Sequence, residues 1–196
     1  LKNKETLLAV GIIAVVGMLV IPLPTFMLDF LLAVSIMISM LVLMITMFVP
    51  KSYDFSIFPA LLLVSTVFRL ALNVSSTRLI LMQGSAFDGK IIKTFGQFVV
   101  GGNYIIGFLI FIILVAVQFI VITKGATRTA EVAARFALDA LPGKQMTIDA
   151  GFQSGTITEE EKNRRQAELR RETDFYGQMD GASKFVQGDV KVGILI

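Results

Sequence analysis

The segment FRLALNVSSTRL, residues 68–79, places ionisable and hydroxyl groups inside a strongly apolar run. Arg69 falls near the middle of a predicted membrane-crossing helix, where exposing an arginine to lipid costs at least about 2.5 kcal/mol. Positions three, four and seven apart share one helical face. That face carries four polar residues: Thr66, Arg69, Asn73 and Ser76. We therefore expect the stripe to face protein or water and to act in ion movement, with a plain buried ion pair as the structural alternative.

Two further charges lie near the predicted ends of membrane spans and are candidates for ion coupling or gating. Arg78 is nine positions beyond Arg69, on the opposite side of the helix, and its long side chain can reach the membrane interface. Asp29 stands at the start of the second predicted span, where an acid stabilises the helix dipole. For both residues a structural role, as an interface anchor or a helix-start acid, is as well supported as a functional one.

Composition places the chain in a lipid bilayer and excludes most enzyme classes. Of its 196 residues, 55% are hydrophobic and 17% are charged, and the mean hydropathy of +0.75 is far above that of soluble domains. The chain has no cysteine and no histidine, which excludes disulfides, thiolate metal sites and catalytic thiols or imidazoles. We expect no enzymatic activity, no cofactor and no metal. Basic residues are interleaved with acids, so nucleic-acid binding is not predicted.

Uncharged runs predict an all-α, polytopic helical membrane protein. Four complete spans are expected in a transmembrane bundle of residues 1–123, at about 7–23, 30–49, 59–82 and 98–122. Pro22 and Pro24 close the first run without a cleavage motif, which favours a retained span over a signal peptide. Residues 190–196 begin another apolar run, interpreted as the truncated start of a fifth span, with an amphipathic or strand-like tail as the alternative. We therefore expect a longer parent protein.

Residues 124–189 are too polar to cross lipid and predict a charged cytoplasmic subdomain with two or three helices. Its first helix, over 127–141, ends where Pro142 and Gly143 interrupt the pattern. One face of that helix carries four charges of alternating sign: Arg128, Glu131, Arg135 and Asp139. A solvated ladder is the simple interpretation, because each such pair stabilises a helix by only about 0.2–0.5 kcal/mol.

A second helix of this subdomain begins with the capping box of Thr158 and Glu161 and is expected to end at Gly177. After it, Asp180 fits the cap of a short third helix that carries Lys184. Capping is the structural interpretation of Asp180, and ion coupling is the functional one.

The distribution of lysine and arginine predicts the orientation, because positive loops stay on the cytoplasmic side. With a cytoplasmic N-terminus, the inner segments hold Lys2, Lys4, Lys51 and the charged loop. The outer segments then hold only Lys90 and Lys93. A multi-pass protein with its N-terminus in the cytoplasm follows.

Three long motifs resemble a known family. They are FRLALNVSSTRL, RTAEVAARFALDALPGKQMTIDA and DFYGQMDGASKFVQGD. Together they resemble the FHIPEP family of export-gate membrane proteins in flagellar and virulence type III secretion. The form GASKF, rather than GAMKF, favours the flagellar branch. Thr147 and Gly151 depart from the family pattern, which weakens any role for position 151.

The resemblance implies an eight-span subunit of the bacterial inner membrane, nine copies of which form a homo-oligomeric ring around the export pore. Other export-gate membrane subunits are implied as partners. A large C-terminal domain, absent from this chain, would receive the export ATPase complex, chaperones and cargo. The proton motive force or another ion gradient would drive export. Carried onto this sequence, the family motifs imply importance for Arg69, Arg78, Arg128, Arg135, Asp139, Lys144, Asp180 and Lys184.

The hypothesis from these residues is that Asp180 takes up and releases a proton and so biases a two-state element of the loop. Arg69 would shape the cation path or pair with a neighbouring subunit. A secondary transporter or ion channel for small solutes is the alternative, favoured by Arg69 and the glycine-rich fourth span. A purely structural ring scaffold is a third possibility.

Overall fold

The structure is a computed structural model that describes residue 11 and residues 13–196, and it is helical apart from short connections. The helices are α1 (residues 13–20), α2 (Thr25–Phe48), α3 (Phe58–Gln83), α4 (Lys90–Val100), α5 (Tyr104–Val117), α6 (Thr127–Asp139), α7 (Leu141–Gln153) and α8 (Glu159–Leu195). A π-helical segment, Gln118–Ala126, joins α5 to α6. The described residues contain no strand. The prediction of an all-α fold is confirmed.

Three helical runs of the described residues are long and apolar enough to cross a membrane: Thr25–Phe48, Phe58–Ala86 and Tyr104–Gln153. The first two overlap the second and third predicted spans, and the uncharged beginning of the last overlaps the fourth. The predicted first span, 7–23, lies partly outside the described residues. The helical membrane class is thus supported, while the division at residues 123 and 189 stays a prediction.

Prolines and a glycine set the ends of the two apolar helices α2 and α3. Pro24 precedes the first residue of α2, and Val49, which stands before Pro50, is extended (φ −78°, ψ 119°) and ends it, as residues before proline tend to be. Pro59 lies in the first turn of α3, where a missing N–H costs little. α3 ends at Gly84, whose φ of +53° residues with side chains rarely adopt.

A small core joins α2, α3 and the start of α4. Its buried members are Leu28, Leu72, Leu79 and Phe87, and the partly buried Leu31, Leu32, Phe68 and Ile92 pack against it. Ala71 and Ser75 are also buried and present small side chains, which permits close packing against α3. Ser75 Oγ donates a 2.8 Å hydrogen bond to the carbonyl oxygen of Met18 and so ties α1 to α3.

The helix that covers the fourth predicted span begins later than the sequence analysis expected. Phe98 belongs to the separate helix α4, which ends at Gly101. Gly101 and Gly102 have φ values of +58° and +80°, a left-handed conformation that turns the chain. Asn103 then caps α5 by accepting a hydrogen bond from the backbone N–H of Ile105 at 3.0 Å. Two consecutive glycines therefore divide what hydropathy alone reads as one run.

Helix α8 runs unbroken through the point where the sequence predicted a stop. The predicted start is confirmed, since Thr158 Oγ1 accepts a hydrogen bond from the N–H of Glu161. The predicted end at Gly177 is wrong, and Asp180 lies inside the helix rather than capping a new one. A helical glycine costs about 1 kcal/mol, but α8 packs along α3 and α6, and this packing outweighs that cost. Residues 190–195 are its last turns.

Candidate functional site

The central feature of the candidate site is an ion pair between Arg69 of α3 and Asp189 of α8. Arg69 Nη2 donates to Asp189 Oδ2. The Arg69 side chain is 49% exposed, whereas that of Asp189 is only 5% exposed. The sequence analysis predicted that Arg69 needs a sheltered polar environment, and the structure places it beside a buried carboxylate. Asp189 was not a predicted site residue.

The second oxygen of the same carboxylate is not hydrogen-bonded. Asp189 Oδ1 is buried and has no partner among the described residues. A buried neutral acceptor that is left unsatisfied costs roughly 1–3 kcal/mol, and a charged one costs more. One more hydrogen-bond donor, from water or protein, would satisfy this oxygen. Among the described residues, Asp189 is thus a buried carboxylate of α8 that pairs with a cation of α3 and keeps one oxygen unsatisfied.

A cleft with a mixed apolar and polar lining opens beside Arg69 between α2, α3 and α8. Its volume is about 320 Å³, and its polar lining is Ser35, Ser39, Thr46, Ser65, Thr66 and Arg69. The hydroxyls of Ser39, Thr46, Ser65 and Thr66 donate hydrogen bonds to backbone carbonyls of their own helices. Their oxygen lone pairs therefore remain available to accept hydrogen bonds from other donors. Of the predicted stripe, Thr66 and Arg69 reach this cleft, while Asn73 and Ser76 are not among its lining residues.

A second, charged cleft of about 260 Å³ lies where the π-helical segment meets α8. It brings together three predicted site residues, Arg128, Asp180 and Lys184, with Lys124 and Glu131. Lys184 Nζ lies 2.6 Å from Asp180 Oδ2. Arg128 Nη1 lies 3.2 Å from Glu131 Oε2. Four of these charges are thus compensated in pairs one helical turn apart. The Arg128–Glu131 pair belongs to the ladder that the spacing predicts.

The other predicted site residues of the loop lie outside the charged cleft, on α6 and α7: Arg135, Asp139 and Lys144. Arg135 Nη2 lies 3.6 Å from Glu131 Oε1, so it extends the ladder away from the charged cleft. Asp139, the last residue of α6, is exposed and forms no ion pair with a described residue. Lys144 lies instead on α7, where its Nζ contacts both carboxylate oxygens of Glu172 at 2.7 and 2.8 Å.

Glu168 of α8 binds the loop between α2 and α3, and we call this contact the loop latch. Glu168 Oε1 accepts hydrogen bonds from Lys51 Nζ and from Tyr53 Oη, each at 2.6 Å. The bond from Lys51, followed by that from Tyr53, lowers the pKa of Glu168 to about 2. The same contact raises the pKa of Lys51. No local sequence pattern indicates this site, because its partners lie more than a hundred residues apart along the chain.

Asp29 and Arg78 both contact backbone atoms of other elements. Asp29 accepts hydrogen bonds from the N–H groups of Lys90 and Ile91, at 2.8 and 3.1 Å. It therefore caps α4 rather than its own helix. Arg78 Nη1 donates to the carbonyl oxygen of Val20, the last residue of α1, at 2.8 Å. These contacts give both residues a structural role that needs no ion.

The described residues contain no group of three or more acidic side chains arranged to hold a metal ion. The chemistry that this arrangement offers is the gain and loss of protons by carboxylates, and the making and breaking of the ion pairs that they form.

Comparison with known proteins identifies the family. The model of the FHIPEP family matches residues 15–196. The chain is 60% identical to the flagellar biosynthesis protein FlhA of Borreliella burgdorferi over 201 aligned positions, and 53% identical to FlhA of Bacillus subtilis over 196. Both alignments include the whole of this chain and 29% of the relative.

A virulence protein is similar to the chain as well. The low calcium response locus protein D of Yersinia pestis is 53% identical over 195 positions, which cover the whole chain and 27% of that protein. The chain thus spans less than a third of the length of these relatives. No solved structure matches it. With motifs, helical architecture and sequence identity in agreement over nearly its whole length, the chain belongs to the FHIPEP family.

Proposed function

We propose that this chain is the membrane part of a subunit of the flagellar type III protein export gate. The subunit lies in the bacterial inner membrane, with its N-terminus in the cytoplasm, and couples ion flux to the export of substrate proteins. It is not an enzyme. The names of the FlhA relatives support a flagellar role. Large exposed apolar side chains on α2 and α5, such as Phe48 and Phe108, suit a surface covered by lipid or by other subunits.

The observation that carries the coupling proposal is the Arg69–Asp189 ion pair with its unsatisfied oxygen. With Asp189 charged, Arg69 attracts α8 to the middle of α3. Protonation removes the negative charge and leaves Arg69 beside a neutral acid. The attraction between the two helices then falls, and α8 is free to shift. A change of one charge in a buried site is sufficient to bias a two-state element in this way.

Helix α8 transmits such a shift towards the cytoplasm because it is continuous. It extends without a break from the capping box at Thr158 to Leu195, and an α-helix rises by about 1.5 Å per residue. Along its length it contacts α3 through Asp189, the charged cleft through Asp180 and Lys184, and the loop latch through Glu168. Movement at its membrane end therefore changes contacts in the loop subdomain. A ring of subunits, with the ATPase complex, chaperones and cargo received outside this chain, would convert that movement into export.

The test is the variant Asp189→Asn in the full-length protein. Asparagine keeps the size of the side chain and a hydrogen-bond acceptor for Arg69, but it cannot exchange a proton. We expect secretion of flagellar proteins to stop while membrane insertion and subunit assembly remain normal. Asp174→Asn is the matched control, because Asp174 is an exposed acid of the same helix and forms no ion pair with a described residue. Normal secretion by Asp189→Asn would reject the coupling role.

Asp180 is a second carboxylate proposed to act in coupling. Its partner Lys184 lies on the same helix, so a charge change at Asp180 alters the charged cleft rather than the contact of α8 with α3. Asp180→Asn is expected to abolish export with insertion and ring assembly intact. If export continues at the normal rate, Asp180 has a structural role and Asp189 alone remains the coupling carboxylate.

Solute transport is the function to be distinguished from export. The full-length protein reconstituted alone in vesicles is expected to take up no small solute against a gradient. Uptake that depends on Arg69, in the absence of every secretion partner, would favour the transporter alternative.

A further inference from the structure

Helix α4 has two chemically opposite faces. At 100° per residue, five of its six large apolar side chains fall on one side of the helix: Ile91, Ile92, Phe95, Phe98 and Val99. The polar ones fall on the other: Lys90, Lys93, Thr94 and Gln97. The helix has 11 residues and is therefore too short to cross a hydrocarbon core, which needs about 20.

The chain holds α4 at one edge of the membrane-crossing bundle. It follows the apolar run Phe58–Ala86 and precedes the one that starts at Tyr104. On one side, Gly101 and Gly102 turn the chain into α5. Because both flanking runs are long enough to cross a bilayer, the helix between them lies at the depth where those runs begin or end. This edge is the end of the bundle away from the charged loop.

The beginning of α4 is fixed by two contacts with the bundle. Asp29 accepts hydrogen bonds from the first two N–H groups of the helix, at 2.8 and 3.1 Å. Ile92 packs on the core that contains Leu28 and Phe87. These contacts use an acid of α2 and one side chain from the apolar face of α4, and they determine the direction in which the rest of the helix leaves the bundle.

The second half of α4 presents its apolar face without cover. Phe95 is 60% exposed and Phe98 is 86% exposed, and Tyr104 at the start of α5 is 91% exposed. Neither Lys90 nor Lys93 forms an ion pair with a described residue. Three uncovered aromatic side chains and two unpaired lysines thus occur at one edge of the bundle.

We propose that α4 is an interfacial helix that lies in the headgroup layer of the bilayer, with Phe95 and Phe98 inserted among the upper acyl chains. Aromatic side chains are enriched at this depth because an apolar ring can enter the membrane while the polar part of the segment stays hydrated. The lysines on the other face meet lipid phosphates, whose charge is complementary to theirs. Asp29 sets the angle of the helix and so holds the ends of α2, α3 and α5 at one depth.

Spin labels on single engineered cysteines of the full-length protein test the proposal, in vesicles of phosphatidylethanolamine and phosphatidylglycerol. Accessibility is measured to oxygen, which concentrates in lipid, and to a water-soluble nickel complex. Labels at Phe95→Cys and Phe98→Cys are expected to be accessible to oxygen and protected from nickel. Gln97→Cys, on the polar face of the same helix, is the matched control and is expected to be accessible to nickel. Leu109→Cys, an exposed position further along α5, provides the deeper lipid reference.

Two results would overturn the proposal. Equal access of nickel to the labels at Phe98 and Gln97 would place the whole helix in water. Exclusion of both reagents from the label at Phe98 would place that face against protein, such as a second copy of the chain.

A label depth at Phe98 between those of Gln97 and Leu109 supports the interfacial position. In Asp29→Ala, which removes the cap, the same label is expected to become more accessible to nickel.

Discussion

Two ion pairs attach α8 to the α2–α3 region, and their surroundings differ. Arg69–Asp189 joins a side chain that is 49% exposed to a carboxylate that is only 5% exposed, whereas Lys51–Glu168 in the loop latch has side chains that are 56% and 37% exposed. Both join the same helix to neighbouring parts of the chain. Water screens the outer pair and compensates for its loss. At the inner pair, removal of Arg69 leaves the charge of Asp189 buried without a counter-charge. Removing one charge is therefore expected to destabilise the protein strongly at Arg69–Asp189 and only weakly at Lys51–Glu168.

The largest effect is expected from Arg69→Leu. This change leaves the Asp189 carboxylate buried without its counter-charge, and we expect a loss of about 3 kcal/mol in the free energy of unfolding. The measurement is chemical denaturation of the full-length protein in detergent. Arg78→Leu is the matched control, since Arg78 donates only to a backbone carbonyl and is exposed, and it should cost far less.

The double variant Arg69→Leu with Asp189→Leu sharpens this prediction. Because it removes both charges together, it should recover most of the stability that the single change loses. If Arg69→Leu is no less stable than Arg78→Leu, the contrast between the inner and outer pairs is wrong.

A smaller effect is expected from Glu168→Gln, which removes the charge of the loop latch but keeps the size of the side chain. Lys51 and Tyr53 lose their charged acceptor, yet both can turn to water. The melting temperature should fall by less than in Arg69→Leu. Cross-linking between engineered cysteines in the α2–α3 loop and in α8 should also become less efficient. Asp174→Asn controls for the loss of an exposed acid of α8, and an equal fall in that variant would contradict a specific role for the latch.

The dependence on pH follows from the lowered pKa of Glu168. Its pKa is about 2 in the folded protein and 4.5 ordinarily, so the latch stabilises the folded state fully above pH 4.5 and loses this contribution as the pH falls towards 2. The stability difference between the native protein and Glu168→Gln should therefore be fully present above pH 4.5 and shrink progressively as the pH falls from 4.5 towards 2. A difference that grows on acidification would reverse the sign and contradict the assignment.

The smallest effect is expected from salt. Raising the ionic strength shortens the screening length to about 3 Å at 1 M, which weakens the exposed latch more than the buried pair. The stability difference between native protein and Glu168→Gln should shrink in salt, while that between native protein and Arg69→Leu should change little. Equal sensitivity of the two differences would show that water reaches both pairs alike.

Local signals predicted part of the site correctly. The capping box of Thr158 and Glu161 starts α8 as expected. The spacing of Arg128, Glu131 and Arg135 produces three of the four members of the predicted ladder, whereas Asp139 pairs with no described residue. These successes share one cause, because each depends on residues within one or two helical turns. The predicted end of the helix at Gly177 failed because the penalty of a glycine is small beside the packing of a long helix against its neighbours.

The amino-acid sequence by itself determined that this is a helical membrane protein of the FHIPEP family and that Arg69 requires shelter from lipid. Hydrophobic runs, absent residue types and local motifs contain that information. Only the tertiary structure decided that Asp189 is the partner of Arg69, that Glu168 forms the latch and that Asp29 caps α4. These contacts join residues 61 to 120 positions apart, and no local pattern specifies which of many carboxylates the packing of helices brings to a given cation.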